Sequence, residues 1–145
     1  MSCLATLFRL CDRDVCVLAE TDPVSLAVSH MTELNKGAVL LVDARGALRG
    51  IFTERDLMTR VVHAQRDARA TPLSQVMTRC MVVATPEEPV DSVLHKMQQA
   101  GCRHLPVVID GAVIGLLSMR DILGVELAEK ERDLDAIRSY VQGSY

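Results

Sequence analysis

An eight-residue phrase occurs twice in this chain, and no other feature limits the fold as strongly. Gly50-Ile51-Phe52-Thr53-Glu54-Arg55-Asp56-Leu57 returns, 65 positions on, as Gly115-Leu116-Leu117-Ser118-Met119-Arg120-Asp121-Ile122. Each copy has a glycine, two apolar residues, a hydroxyl residue, a variable position, an arginine, an aspartate and another apolar residue. Physically, that order is a buried strand running directly into a helix. The hydroxyl residue takes the N-cap, where its oxygen accepts from a first-turn N–H, and the aspartate falls three residues later. Two copies in 145 residues mean duplication. The chain is therefore one domain of ordinary size, or two half-size units that share a core.

Taken in order, a short lead-in over residues 6–13 precedes a small apolar strand at Val15–Leu18. Thr21-Asp22-Pro23 opens a helix, with Pro23 in the first turn, where its missing N–H costs nothing. Leu26, Ala27, Met31 and Leu34 are expected on its buried face. Ala38–Val42 reads as a buried strand, Asp43-Ala44-Arg45-Gly46 as a turn, and Leu48–Phe52 as the partner strand. Thr53 then caps a helix to about Gln65 that carries Leu57, Met58, Val61 and Val62. In the second half, Pro72–Met77 reads as a short helical turn and Met81–Ala84 as a strand. Thr85-Pro86-Glu87-Glu88-Pro89 leads into a helix with Val90, Val93, Leu94 and Met97 inward. Leu105–Ile109 and Ala112–Leu117 form a hairpin across Asp110-Gly111, a strong two-residue turn signal, and Ser118 caps the last helix.

The expected divisions are a first repeat over 1–66, a polar linker over 67–71, a second repeat over 72–125 and a helical tail over 126–145. Pro23-Val24 matches Pro89-Val90 at an offset of 66, whereas the repeated phrase matches at 65. The missing residue falls at the hairpin turn, where an indel leaves strands and helices intact. The tail carries Leu127, Leu134, Ile137 and Val141 among many charges, so it is either a solvated amphipathic helix or an arm packed on another subunit.

Apolar residues make up 49% of the chain but only 3% are aromatic, so the core must be aliphatic. A net charge of −3 argues against a general nucleic-acid binder, for which a basic footprint is expected. Cys3, Cys11, Cys16, Cys80 and Cys102 are odd in number and show no CxxC spacing, which suits reduced thiols in a cytoplasmic protein. His30, His63 and His95 have no partners at metal spacing. No apolar run approaches the ~18 residues of a membrane helix. Arg9, Asp12 and Arg13 interrupt any signal-peptide pattern.

The ordered set of strand, helix, strand, strand and helix, twice over and ending each time in the repeated phrase, resembles the CBS-domain pair, or Bateman module. The likeness covers essentially the whole chain. Val76-Met77-Thr78 and Arg103-His104-Leu105-Pro106-Val107-Val108 add to it. Glu54-Arg55-Asp56-Leu57 and Tyr140-Val141-Gln142-Gly143 strengthen the likeness to a stand-alone bacterial CBS-domain protein. The resemblance implies an α/β (α+β) fold, with two tandem β-α-β-β-α repeats packed through their sheets in pseudo-twofold symmetry, plus a C-terminal helix. It implies clefts for adenosine-containing ligands such as AMP, ADP, ATP, S-adenosylmethionine or NAD(H). It also implies a homodimer that signals to a protein partner the sequence does not identify.

By that resemblance, Asp56 and Asp121 accept hydrogen bonds from ribose hydroxyls. Thr53 and Ser118 hold phosphate oxygens at a helix start, which favours anions on physical grounds alone. Arg55 and Arg120 add charge to the same phosphates, as do Arg103 and His104, with Pro106 beside them on the middle strand. The first repeat has Gly37-Ala38 where the second has Arg103-His104, which removes two donors from the first site. A capping box explains the same Thr/Ser…Asp pairs without any ligand; the two readings coexist if a nucleotide displaces the cap. No nucleophile, base and orienter stand together, and no Walker-type loop is present, so the chain is not expected to be an enzyme. The rival to a ligand sensor is a structural dimerisation protein with vestigial pockets.

Overall fold

The computed structural model describes residues 14–79 and 82–142. The lead-in expected at 6–13, Cys3, Cys11, Cys80, Met81 and Gly143 lie outside them. The chain divides into two compact units, residues 14–83 with 110–113, and, among those described, 84–109 with 114–142.

The first unit runs β1 (Val17–Ala19), α1 (Val24–Leu34), β2 (Ala38–Val42), β3 (Leu48–Thr53), α2 (Glu54–Asp56) continuing as a π-helix (Leu57–Val62), a 3-10 turn (Leu73–Gln75) and β4 (Thr78–Arg79). Its sheet has the order β1-β2-β3-β4, with β1 parallel to β2 and the other pairs antiparallel. A β-α-β crossover thus precedes a hairpin. Ala38, Val39, Leu40 and Leu41 are all buried, as suits a central strand. Val39, Leu41 and Phe52 meet Val24, Ala27, Met31, Val61, Leu73, Val76 and Met77 in one core, aliphatic except for Phe52 and the two methionines.

Pro23 cannot cap α1 with a side chain, and the helix start is satisfied from elsewhere. Val24 N–H donates to the Thr71 carbonyl at 3.0 Å, and Ser25 N–H to that of Ala68 at 2.9 Å. The polar segment 67–71 therefore closes the helix start, and Thr71 is buried.

Four local expectations are corrected. The first strand is Val17–Ala19 rather than Val15–Leu18, and the helical turn after Pro72 is Leu73–Gln75 rather than Pro72–Met77. On α1 the buried row is Val24, Ala27 and Met31, while Leu26 and Leu34 are exposed. At about 100° per residue, Leu26 stands roughly half a turn from that row, and Leu34 lies in the last turn, before the left-handed cap at Asn35. After Asp56 the helix widens, with His63 N–H donating to the Met58 carbonyl five residues back, and ends at Val62 instead of Gln65. Gln65 has a φ of 57°, which no helix interior accepts. Leu57 and Val61 reach the core; Met58 and Val62, one residue further round, are exposed.

The second unit contains α3 (Val90–Ala100), β5 (His104–Ile109), residues 114–118 of the paired strand β6 (Ala112–Ser118), and α4 (Met119–Val141). Asp110 and Gly111, with φ of 50° and 80°, supply the left-handed turn that a two-residue hairpin requires. Where a strand was expected at Met81–Ala84, Ala84 makes a parallel bridge to Val107. Val90, Val93, Met97, Leu105, Val107, Leu116, Leu117 and Ile122 are buried, and Leu94 is half-buried.

The duplication is visible in detail. α1 and α3 both have 11 residues, both follow a proline N-cap, and both end in a left-handed residue, Asn35 and Gly101. Lys36 N–H donates to the Met31 carbonyl as Cys102 N–H does to that of Met97. Glu54 N–H donates to the Gly37 carbonyl as Met119 N–H does to that of Arg103. Among the described residues no helix is long and apolar enough to cross a membrane.

Candidate functional site

In the first repeat, β3 delivers Thr53 in an extended conformation to the start of α2 (φ −117°, ψ 168°). A reciprocal capping box closes there. Asp56 N–H donates to Thr53 Oγ1 at 3.3 Å, and Thr53 N–H donates to Asp56 Oδ2 at 3.0 Å. The Thr53 hydroxyl also lies 3.2 Å from Oδ2. Two residues that sequence reading did not place here complete the environment. The Thr78 hydroxyl donates to Asp56 Oδ1 at 3.0 Å, and Arg60 Nε stands 3.7 Å from the same oxygen. Arg60 Nη1 also donates to the Met77 carbonyl at 2.7 Å. Asp56 is one of two buried polar or charged residues among those described, at 5% exposure.

The second repeat has the same frame around a different environment. Ser118 leaves β6 extended (φ −102°, ψ 150°), and Asp121 N–H donates to Ser118 Oγ at 3.0 Å. The return bond from Ser118 N–H is not made, and among the described residues no donor reaches the Asp121 carboxylate. Asp121 is half-buried. It lies in an open depression along α4 with Arg120, Gly124, Val125, Ala128 and Arg132.

The remaining candidates divide clearly. Arg103 is exposed, but its carbonyl receives Met119 N–H at 2.8 Å, which sets it beside the Ser118 turn. His104 begins β5, half-buried. Pro106 is buried, and its carbonyl accepts from Ala84 N–H at 2.9 Å, so its visible role is to hold the strand bridge. Arg55 and Arg120 are exposed. Thr53 and Asp56 are brought together within one unit, and Ser118 and Asp121 within the other. Of the missed residues, Arg60 had a signal, its i, i+4 spacing from Asp56. Thr78 had none beyond its place in Val76-Met77-Thr78, because its bond to Asp56 crosses 22 positions of sequence.

A hydroxyl and a carboxylate three residues apart at a helix start can accept from a diol and face an anion. Among the described residues no cluster of three metal-ligating side chains occurs. The Cys16 and Cys102 thiols are both pushed above the ordinary thiol range by burial, an effect a backbone hydrogen bond partly offsets at Cys102.

The CBS domain family matches this chain twice, over residues 8–63 and 73–128. The mitochondrial CBS domain-containing protein CBSX3 of Arabidopsis thaliana is 33% identical over 128 residues, which is 86% of this chain and 62% of that protein. YhcV of Bacillus subtilis (strain 168) is 30% identical over 108 residues, 74% of this chain and 76% of its own length. The CBS domains of a Burkholderia ambifaria MC40-6 protein superpose with a TM-score of 0.81 at 31% identity, covering 88% of this chain and 95% of theirs. ATU1752 of Agrobacterium tumefaciens gives 0.77 at 27% identity, covering 86% and 92%. The chain spans under two thirds of CBSX3 and only 22% of the Arabidopsis proteins CBSCBSPB5 and CBSCBSPB4.

Proposed function

The chain belongs to the CBS-domain family, and from that premise we propose that it is a non-enzymatic regulatory module that binds an adenosine-containing ligand at the Ser118–Asp121 turn. The observation that carries this reading is the Asp121 carboxylate, half-buried, reached by no donor among the described residues, and one residue from Arg120 in the depression along α4. A ribose diol needs acceptors with free lone pairs, and this carboxylate has them. Arg120 supplies positive charge for phosphates, with Arg103 near the same turn. AMP, ADP, ATP, S-adenosylmethionine and NAD(H) are the ligands to try. Binding shifts the population of whichever arrangement holds the ligand better, and a protein partner reads that shift.

The test is a thermal-shift panel of those ligands on the intact chain, followed by calorimetry on Asp121→Ala. A ligand at 100 times its Kd stabilises by about 2.7 kcal/mol. For a chain of this size, that corresponds to roughly 5–11 °C. Loss of the shift in Asp121→Ala supports the site; a panel that moves nothing and releases no heat overturns it.

The dimerisation reading has its own observation. Leu123, Leu127, Leu134, Ile137 and Val141 are all exposed along α4, at steps of 4, 7, 3 and 4 residues. That is the spacing of a coiled-coil seam, with Lys130 at the remaining inward position. The occupant we assign is a second copy of this chain. Light scattering at micromolar concentration should give a dimer mass, and Leu134→Glu with Ile137→Glu should halve it. A monomer with α4 intact refutes the pairing.

A further inference from the structure

Resting on that reading, we infer that Arg60 and Thr78 turn the first repeat's carboxylate into an internal latch and thereby confine nucleoside binding to the second repeat. A carboxylate has about four lone-pair positions; at Asp56 three hydrogen bonds and one ion pair, all from its own unit, surround the two oxygens. Oδ2 receives the Thr53 N–H and hydroxyl at 3.0 and 3.2 Å. Oδ1 receives the Thr78 hydroxyl at 3.0 Å and faces Arg60 Nε at 3.7 Å. A ribose hydroxyl arriving there has to displace one of these contacts, whereas at Asp121 it adds one. Exchange of this kind contributes little net free energy, because the displaced hydroxyl must find another acceptor.

The latch has a mechanical consequence. Thr78 and the Met77 carbonyl belong to the chain entering β4, while Asp56 and Arg60 belong to the helix leaving β3. The two contacts fasten that helix to the edge strand at 5% exposure of the carboxylate. The second repeat lacks the cation. Val125 stands 65 positions after Arg60, where Arg60 stands four after Asp56, and Val125 cannot donate to Asp121. The difference between a latch and an open acceptor therefore lies in side chains outside the repeated phrase.

The experiment uses the full chain with AMP as probe and reads two quantities, calorimetric stoichiometry and the melting temperature without ligand. Wild type should show one AMP event per chain. Asp121→Ala should weaken it at least tenfold, and Thr78→Val with Arg60→Met should add a second event while lowering the ligand-free melting temperature. Two events in wild type overturn the inference, as does an Arg60→Met, Thr78→Val protein that gains none; Thr78→Val alone replaces it if the pair does not fold. Absence of any AMP event would remove AMP from the ligands of the second repeat but leave the latch decidable by melting. Asp56→Ala must then lower the midpoint well beyond Asp121→Ala, with Thr78→Val costing nothing further in the Asp56→Ala background. Equal shifts for the two aspartates, or additive losses, overturn it.

Discussion

Replacing Gly50 with alanine tests the packing that holds the first repeat's turn. Gly50 is buried on β3, opposite Leu41 on one side and Arg79 of β4 on the other. A Cβ built there stands 2.7 Å from the Thr78 carbonyl oxygen and 2.7 Å from Met77 Sδ. Non-bonded heavy atoms rest at about 3.5–4.0 Å. Met77 can move its flexible end; a strand backbone cannot move alone. Overpacking costs about 1–3 kcal/mol. Displacing β4 also loosens the Thr78 hydroxyl from Asp56, and a hydrogen bond to a charged group contributes about 1.5–3 kcal/mol. The combined loss is about 2.5–6 kcal/mol, a large share of the 5–15 kcal/mol typical of a folded domain. It lowers the melting temperature by roughly 5–24 °C for a chain of this size. Circular dichroism melts and urea titrations of Gly50→Ala against wild type measure it. A loss under about 1 kcal/mol refutes the reasoning, because β4 would then be free to shift at little cost.

Gly124→Ala is the opposite case: the glycine lies inside α4 with nothing within 4 Å of an added Cβ. It should stabilise the chain by about 0.5–1 kcal/mol through helix propensity, read in the same titrations. Phe52→Ala, at a fully buried position, should cost about 3–5 kcal/mol and reduce cooperativity of the melt. Because burial raises the Cys16 thiol, the folded chain holds that proton longer than the unfolded one. Its contribution is therefore complete below the ordinary thiol value of 9.0 and declines as pH rises through the folded value. Urea midpoints of wild type should fall more steeply above that pH than those of Cys16→Ala.

Much of this molecule is decided locally, and those parts are legible in the order of residues. The proline-led helices, the left-handed turn at Asp110-Gly111, the capped helix start at Ser118 and the indel between the halves each depend on a few neighbouring residues. Duplication then raised weak local signals into a fold, because the same order had to succeed twice. Which apolar residues face inward was decided by tertiary packing: Leu26, Leu34, Met58 and Val62 have the right chemistry, but lie on faces the sheet does not cover. The largest such decision concerns the two aspartates. Asp56 and Asp121 stand in nearly identical phrases, yet Asp56 is buried against Thr78 and Arg60, while Asp121 is left open. A carboxylate's role depends on which donors surround it in space. One of those donors comes from 22 residues away, across a strand pairing that no local pattern encodes.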